Sequence, residues 1–202
     1  MRKFLLFVSA VVMLSFVSAD NTLSKKERKM ATKHLKDTQK DVINAMKGLS
    51  DAQLKFKPAP DRWSVEECLK HIAITEGSIW QMTEGFIKQA ANPDKRAEIK
   101  STDEQVIQMI SSRNQKAQAQ ESVKPENTPY KSADEALQAF KASRAKLIDY
   151  VKSTNEDLRN HVAALPFGHF DTYQLILFIG AHSNRHMQQM EEVKADPGFP
   201  KN

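Results

Sequence analysis

One cysteine, Cys68, stands in 202 residues. A lone thiol excludes an intramolecular disulfide. Its place beside Leu69 in a helical pattern suits a small buried core residue and argues against a Cys–His nucleophile pair. No basic block occurs: lysines and acids are interspersed, without aromatic interleaving, which gives nucleic-acid binding little support. After Val17 no apolar run is long enough to span a bilayer. The chain also lacks an internal repeat, a glycine-rich phosphate loop, a G-x-S-x-G elbow and any convincing strand.

What is present begins with a leader. Met1-Arg2-Lys3 is followed by an apolar run from Phe4 to Val17, and Val17-Ser18-Ala19 precedes Asp20. A basic start, a hydrophobic segment and a small-residue cleavage site read as a secretory signal peptide over residues 1–19, with an uncleaved N-terminal anchor as the alternative. With no cysteine at the cleavage site, no lipoprotein anchor is expected. Cleavage removes Arg2 and Lys3 and no acid, lowering the formal charge from +5 to +3. The expected product is a periplasmic or secreted single domain over residues 20–202, without stable membrane insertion.

The remaining chain reads as four long amphipathic helices. Ser24 and Glu27 form a capping box that opens the first, over residues 24–49, with Met30, His34, Thr38, Val42, Met46 and Leu49 as its stripe. Ser50 to Gln53 allows a short helical turn. Pro58 and Pro60 then exclude a continuous helix. Ser64 and Glu67 open the second helix, predicted to run to about Ala91 before Asn92-Pro93. Thr102 and Gln105 cap a short segment through Ile110. Gln115 to Tyr130, polar and carrying Pro125 and Pro129, reads as a long loop. Ser132 and Glu135 start the third helix, along which Ala136, Leu137, Phe140, Leu147, Ile148 and Val151 are apolar. Residues 155–170 form a connector, and Asp171 caps the fourth helix. The architecture expected is all-α: a four-helix bundle with a long crossover between its second and third long helices.

The fourth helix carries the chemistry. Leu175, Ile179, His182, His186 and Val193 share one face. Two histidines four residues apart point the same way, as a helix does when it supplies two ligands to one metal. Packed core imidazoles would show the same pattern. A third ligand decides between the two, and His71, beside Ile72 on the second helix, is available if it faces inward. Three neutral imidazoles leave a coordination position for water or substrate and suit zinc, nickel, copper or iron. Gln189, three residues after His186, is placed to approach that position. Arg185 is expected to point sideways, toward the surface or a neighbouring acid. Glu76, about 140° around the helix from His71 at 100° per residue, reads as a rim charge, with a supporting role behind the ligands as the alternative. His34 reads as packed or half-exposed. His161 and His169 in the connector read as surface imidazoles, and the pairs Glu66-Glu67 and Glu191-Glu192 as caps or solvated faces.

Two segments resemble the DinB superfamily. Pro58-Ala-Pro-Asp-Arg-Trp63-Ser64-Val65-Glu-Glu-Cys-Leu69-Lys-His71-Ile72 looks like that family's second-helix start, where a Trp-Ser cap precedes a ligand histidine. Tyr173 to Gln189, with its His-x-x-x-His, resembles the family's final helix. Pro166-Phe167-Gly168 and Ala136-Leu137-Gln138-Ala139-Phe140 also fit, and the similarity covers about residues 35–193. The resemblance implies a four-helix bundle with a left-handed, crossed connection. It also implies a divalent ion, nickel or zinc, held by three histidines, matched here by His71, His182 and His186. Some relatives are thiol-dependent transferases or isomerases, and others are described as metal hydrolases. The leader departs from the cytosolic members and weakens the thiol-transferase reading, because low-molecular-weight thiols are scarce outside the cytosol.

The function expected is therefore a metal-dependent hydrolase or transferase acting on a small molecule outside the cytoplasm. The alternative is a non-catalytic bundle that binds a small ligand or is purely structural. A homodimer through outer helix faces remains open.

Overall fold

The computed structural model describes residues 22–114 and 118–201. The signal peptide read over residues 1–19 and the first residues of the loop read over Gln115–Tyr130 lie outside them. Among the described residues no helix is long and apolar enough to cross a membrane.

Six α-helices form. α1 spans Lys25–Met46, α2 Asp51–Lys55, α3 Val65–Ile87, α4 Asp103–Ser111, α5 Ala133–Ser153 and α6 Thr172–Lys194. α1, α3, α5 and α6 are the four long helices, and the bundle expected from the sequence is observed. Their starts follow from local chemistry. Ser24, Ser50, Ser64 and Thr102 each accept the amide three residues on, and Glu27, Gln53, Glu67 and Gln105 reach back to the cap amide. Each box satisfies two amides that the helix geometry leaves open. α1 stops before Gly48, whose φ of +76° is a left-handed conformation that glycine adopts without strain. α3 ends four residues short of the predicted Ala91.

Two apolar clusters define the helix directions. Val42 and Met190, late in α1 and α6, pack with Leu69 and Phe140, early in α3 and α5. Leu35 and Ile176, early in α1 and α6, pack with Ile79 and Leu147, late in α3 and α5. Thus α3 and α5 run parallel to each other and antiparallel to α1 and α6. Parallel neighbours need a chain that travels back along the bundle, and the segment between Ile87 and Ala133 does so. Within it, the structure adds a 3₁₀ helix at Pro93–Glu98 and short 3₁₀ turns at Glu121–Val123 and Pro125–Asn127.

The connector before α6 differs from the expectation of no strand. Val162–Leu165 (β1) and Gly168–Asp171 (β2) form an antiparallel hairpin, with Val162 opposite Asp171 and Leu165 opposite Gly168. Four-residue strands reading VAAL and GHFD hold one β-branched residue between them, so they give almost no strand signal. The hairpin and α4 share a small core of Val106, Ala163, Phe170 and Leu175 against the start of α6.

Between the two main clusters lies a buried charge. Arg144, fully buried at mid-α5, donates two hydrogen bonds to Glu76 of α3, at 2.9 and 2.7 Å. It also donates to Leu35 O and Thr38 Oγ1 on α1, both at 2.8 Å, and to Ser183 Oγ on α6 at 2.7 Å. One guanidinium thus ties together all four long helices. Glu76 is 2 % exposed, which corrects its reading as a rim charge. The sequence pattern did not single out Arg144, because one arginine inside an apolar stripe looks like a helix flank.

Candidate metal site

His71 lies two turns into α3, and His182 and His186 lie about the middle of α6. The antiparallel α3–α6 pair brings all three imidazoles together. One ring nitrogen from each lies within 4.8 Å of the other two. His71 Nε2 and His182 Nε2 are 3.3 Å apart, and the ring centres are separated by 4.4 to 5.1 Å. His71 and His186 are buried, at 3 % and 8 % exposure, and His182 is half-buried.

The outer nitrogens of two rings are already committed. His71 Nδ1 is 2.6 Å from the Val123 carbonyl, and His186 Nδ1 is 3.0 Å from Gln189 Oε1. A carbonyl oxygen only accepts, so each Nδ1 carries the hydrogen and donates it, leaving the Nε2 lone pair for the site. Thr75 Oγ1 lies 3.3 Å from His71 Nδ1 as well. Val123 belongs to the segment read only as a long loop, and no side-chain pattern signals a backbone carbonyl. Gln189 is found holding His186 from behind.

Electrostatics keep the three rings neutral. Burial pushes the His71 pKa below its ordinary value, against the opposing pull of the Val123 hydrogen bond. Burial, then His71 and then Arg185, bring His182 down to about 3. His186 is driven well below the usual range by burial and by the other two rings. Neutral imidazoles with Nε2 lone pairs turned inward are the form that binds a metal. With its Nδ1 hydrogen given to Val123, His71 Nε2 is a bare acceptor facing His182. A cation between the rings satisfies both, so the donor set fits a divalent ion.

Aromatic rings enclose the group. The Trp63 ring lies 4.9 Å from His71 and stacks on His186 at 5.8 Å and 30°. On the other side Phe178 stacks on His182 at 6.3 Å and 12°. Trp63 holds its place because the next residue, Ser64, caps α3.

The other candidate residues are dispersed. Glu76 belongs to the Arg144 layer. Arg185 is half-buried, and its charge is felt by His182 and His186. His34 is half-buried, with Nε2 3.1 Å from Leu177 O. His161 is buried at 8 % exposure, not on the surface, and its Nδ1 has no partner among the described residues. His169 is half-buried, 2.9 Å from Glu98. Glu67 is a cap as expected, whereas Glu66 is buried at 7 % exposure and pairs with Lys70 at 2.7 Å. Cys68 is fully buried, and its thiol is pushed above the ordinary range. An open polar cleft around Arg159, Glu27 and Asp103 holds none of the three histidines.

Comparison with known proteins places this geometry in context. The model of the DinB superfamily matches residues 34–190. The uncharacterized protein YuaE of Bacillus subtilis (strain 168) is 30% identical over 155 residues, which cover 76% of this chain and 91% of YuaE. The structure of YfiT from Bacillus subtilis is described as a probable metal-dependent hydrolase with an unusual four-helix bundle topology. It aligns with a TM-score of 0.59 at 13% identity, over 89% of this chain and 92% of that one. At that identity the likeness is one of fold.

Proposed function

This chain belongs to the DinB superfamily, and from that premise we propose that it is a metal-dependent hydrolase of a small molecule, with His71, His182 and His186 holding one divalent ion. The observation that carries the reading is the convergence of three neutral imidazoles whose nitrogens lie within 4.8 Å of one another. An all-imidazole set suits zinc or nickel. When bound, such an ion supplies Lewis acidity, acidifying a water molecule and polarising a carbonyl or phosphoryl oxygen. The chain's own residues do the rest. Val123 O and Gln189 Oε1 hold the Nδ1 protons of His71 and His186, fixing tautomer and ring orientation. Trp63 and Phe178 wall the site and limit water around it. The hydrolytic description of YfiT, a neighbour in fold, supports the same class of chemistry.

The leader read at residues 1–19 supports an extracytoplasmic setting, where hydrolysis fits better than transfer to a scarce thiol. The test is metal content by mass spectrometry of the chain begun at residue 20, beside the His71/His182/His186→Ala triple variant. About one zinc or nickel per chain, absent from a folded triple variant, is expected. No metal in either, after loading with both ions, overturns the reading.

A further inference from the structure

The positive charge of this chain is concentrated on one helix. α1 holds seven lysines and arginines against three acids, a net charge of +4, whereas the whole chain from residue 20 carries +3. Six of the seven are lysines: Lys25, Lys26, Lys29, Lys33, Lys36 and Lys40, all exposed. At about 100° per residue they fall within an arc of about 100° around the helix. Glu27, Asp37 and Asp41 lie outside that arc. The buried residues of α1, Ala31, Leu35, Thr38, Val42 and Ala45, face the opposite way. From Lys25 to Lys40 the helix rises about 22 Å, at about 1.5 Å per residue. The lysines therefore form a stripe along the outward face of the bundle.

Neither packing nor helix formation asks for this stripe. Among the described residues only Lys33 of the six has an ion pair, with Asp37. Lys25 and Lys29, Lys29 and Lys33, and Lys36 and Lys40 are four residues apart, a spacing at which like charges oppose the helix. The outer side of α5 is built differently: exposed Asp134, Glu135 and Asp149 accompany Lys146 and Lys152, and Lys152 pairs with Asp149 at 2.8 Å. The residue types on α1 say what meets it. Lysine is a point charge on a flexible stem and suits a diffuse negative field, whereas nucleic acids are gripped by guanidinium forks and stacking rings. The one arginine of α1, Arg28, is turned away and donates to Val151 O and Thr154 O at 2.9 and 2.7 Å. α1 contains no phenylalanine, tyrosine or tryptophan. The stripe also begins eight residues after the apolar run that ends at Val17. α1 is thus the helix joined to the leader, whether that leader is cleaved or retained as an anchor.

We propose that the lysine face of α1 is a docking surface for a membrane containing anionic lipid, which holds the folded domain against the bilayer without inserting into it. α1 lies along the lipid surface with its buried side turned away from it, and the lysine ammonium groups meet the phosphates of the headgroups. α1 supplies no histidine to the metal site, so the proposal stands apart from the hydrolase reading.

The test is co-sedimentation of the chain begun at residue 20 with vesicles of phosphatidylcholine, alone or with about 30 % phosphatidylglycerol, at about 0.1 M and about 0.5 M salt. Wild type is compared with Lys29→Gln/Lys36→Gln/Lys40→Gln. A second variant, Lys131→Gln/Lys146→Gln/Lys152→Gln, removes the same charge from exposed positions at and along α5. Circular dichroism checks that both fold. Wild type is expected to bind only the vesicles containing phosphatidylglycerol and to be released at the higher salt. Each lysine beside such a surface contributes about fivefold in affinity, so the α1 variant should bind about 100-fold more weakly and the α5 variant less than about fivefold. The lipid and salt dependence of the wild type keeps the proposal testable if a variant does not fold. No binding to anionic vesicles, undiminished binding by the α1 variant, or an equal loss in both variants overturns it. Binding to duplex DNA or single-stranded RNA that is tighter than to the anionic vesicles, and lost in the α1 variant, gives the face to nucleic acid and overturns it as well.

Discussion

Replacing Arg144 with methionine should destabilise the protein more than most core truncations. The substitution keeps much of the side-chain volume and removes the charge. Glu76, 2 % exposed, is then a buried carboxylate without its partner, and Leu35 O loses a donor. Breaking one side of a buried ion pair costs about 3–5 kcal/mol, because the orphaned charge stays desolvated. Burial already pushes the Glu76 carboxyl above its ordinary pKa and the guanidinium opposes that push, so removing Arg144 leaves a carboxyl that protonates instead of ionising. Thr38 and Ser183 behave differently. Each hydroxyl also bonds a carbonyl one turn back, Thr38 to His34 O at 3.0 Å and Ser183 to Ile179 O at 3.0 Å, so neither is orphaned. The double variant Arg144→Met/Glu76→Leu should therefore cost only about 1–2 kcal/mol, since apolar replacement of both partners is often near neutral. Urea unfolding followed at 222 nm for wild type, both single variants and the double variant gives the coupling energy directly. The expected coupling is at least about 2 kcal/mol. A loss below about 1 kcal/mol for Arg144→Met, or a double variant that loses the sum of the two singles, would refute the reasoning.

Three further outcomes are expected. A Cβ at Gly180 would stand 2.5 Å from His34 Nε2, so Gly180→Ala should destabilise by about 1–3 kcal/mol of overpacking, offset by up to about 1 kcal/mol of helix propensity. In a His34→Ala background the same change should become neutral or stabilising, and thermal melts that show no difference between the backgrounds would sink the close-approach argument. The stability of the metal-free chain should fall as pH drops below about 6.5, the ordinary histidine value. The folded-state pKa values of His34, His71, His182 and His186 are all lowered, so the unfolded chain takes up protons first. Stability is complete above the unfolded pKa and is lost toward the folded values, about 3 for His182, at up to about 1.4 kcal/mol per pH unit per group. Urea midpoints that are flat between pH 7 and pH 5 in wild type, or that slope equally in the triple alanine variant, would contradict this. Finally, Gln189→Leu should leave the fold intact and weaken zinc affinity about 10–100-fold by freeing the His186 ring; competition with a chromophoric chelator measures it, and unchanged affinity would deny Gln189 its role.

The sequence by itself determined the features that depend on neighbours a few residues away. Ser24, Ser64, Thr102 and Asp171 mark their helix starts because a cap needs only its own amides within three residues. The pairing of His182 with His186 was legible for the same reason, since a helix repeats its face every turn. His71 was legible through the Trp63-Ser64 start of α3, which resembles the second-helix start of the DinB superfamily. The tertiary structure alone decided what lies far apart in the chain. Glu76 and Arg144 are 68 residues apart and Val123 is 52 from His71. Helical periodicity gives each residue a face and says nothing of what that face meets. The pairing of Arg62 and Arg113 with Glu192 arises likewise, from separate segments brought together when α4 and the Trp63 loop close on α6. Their charges look interspersed along the chain, and only the packing of the helices brings them onto one acid.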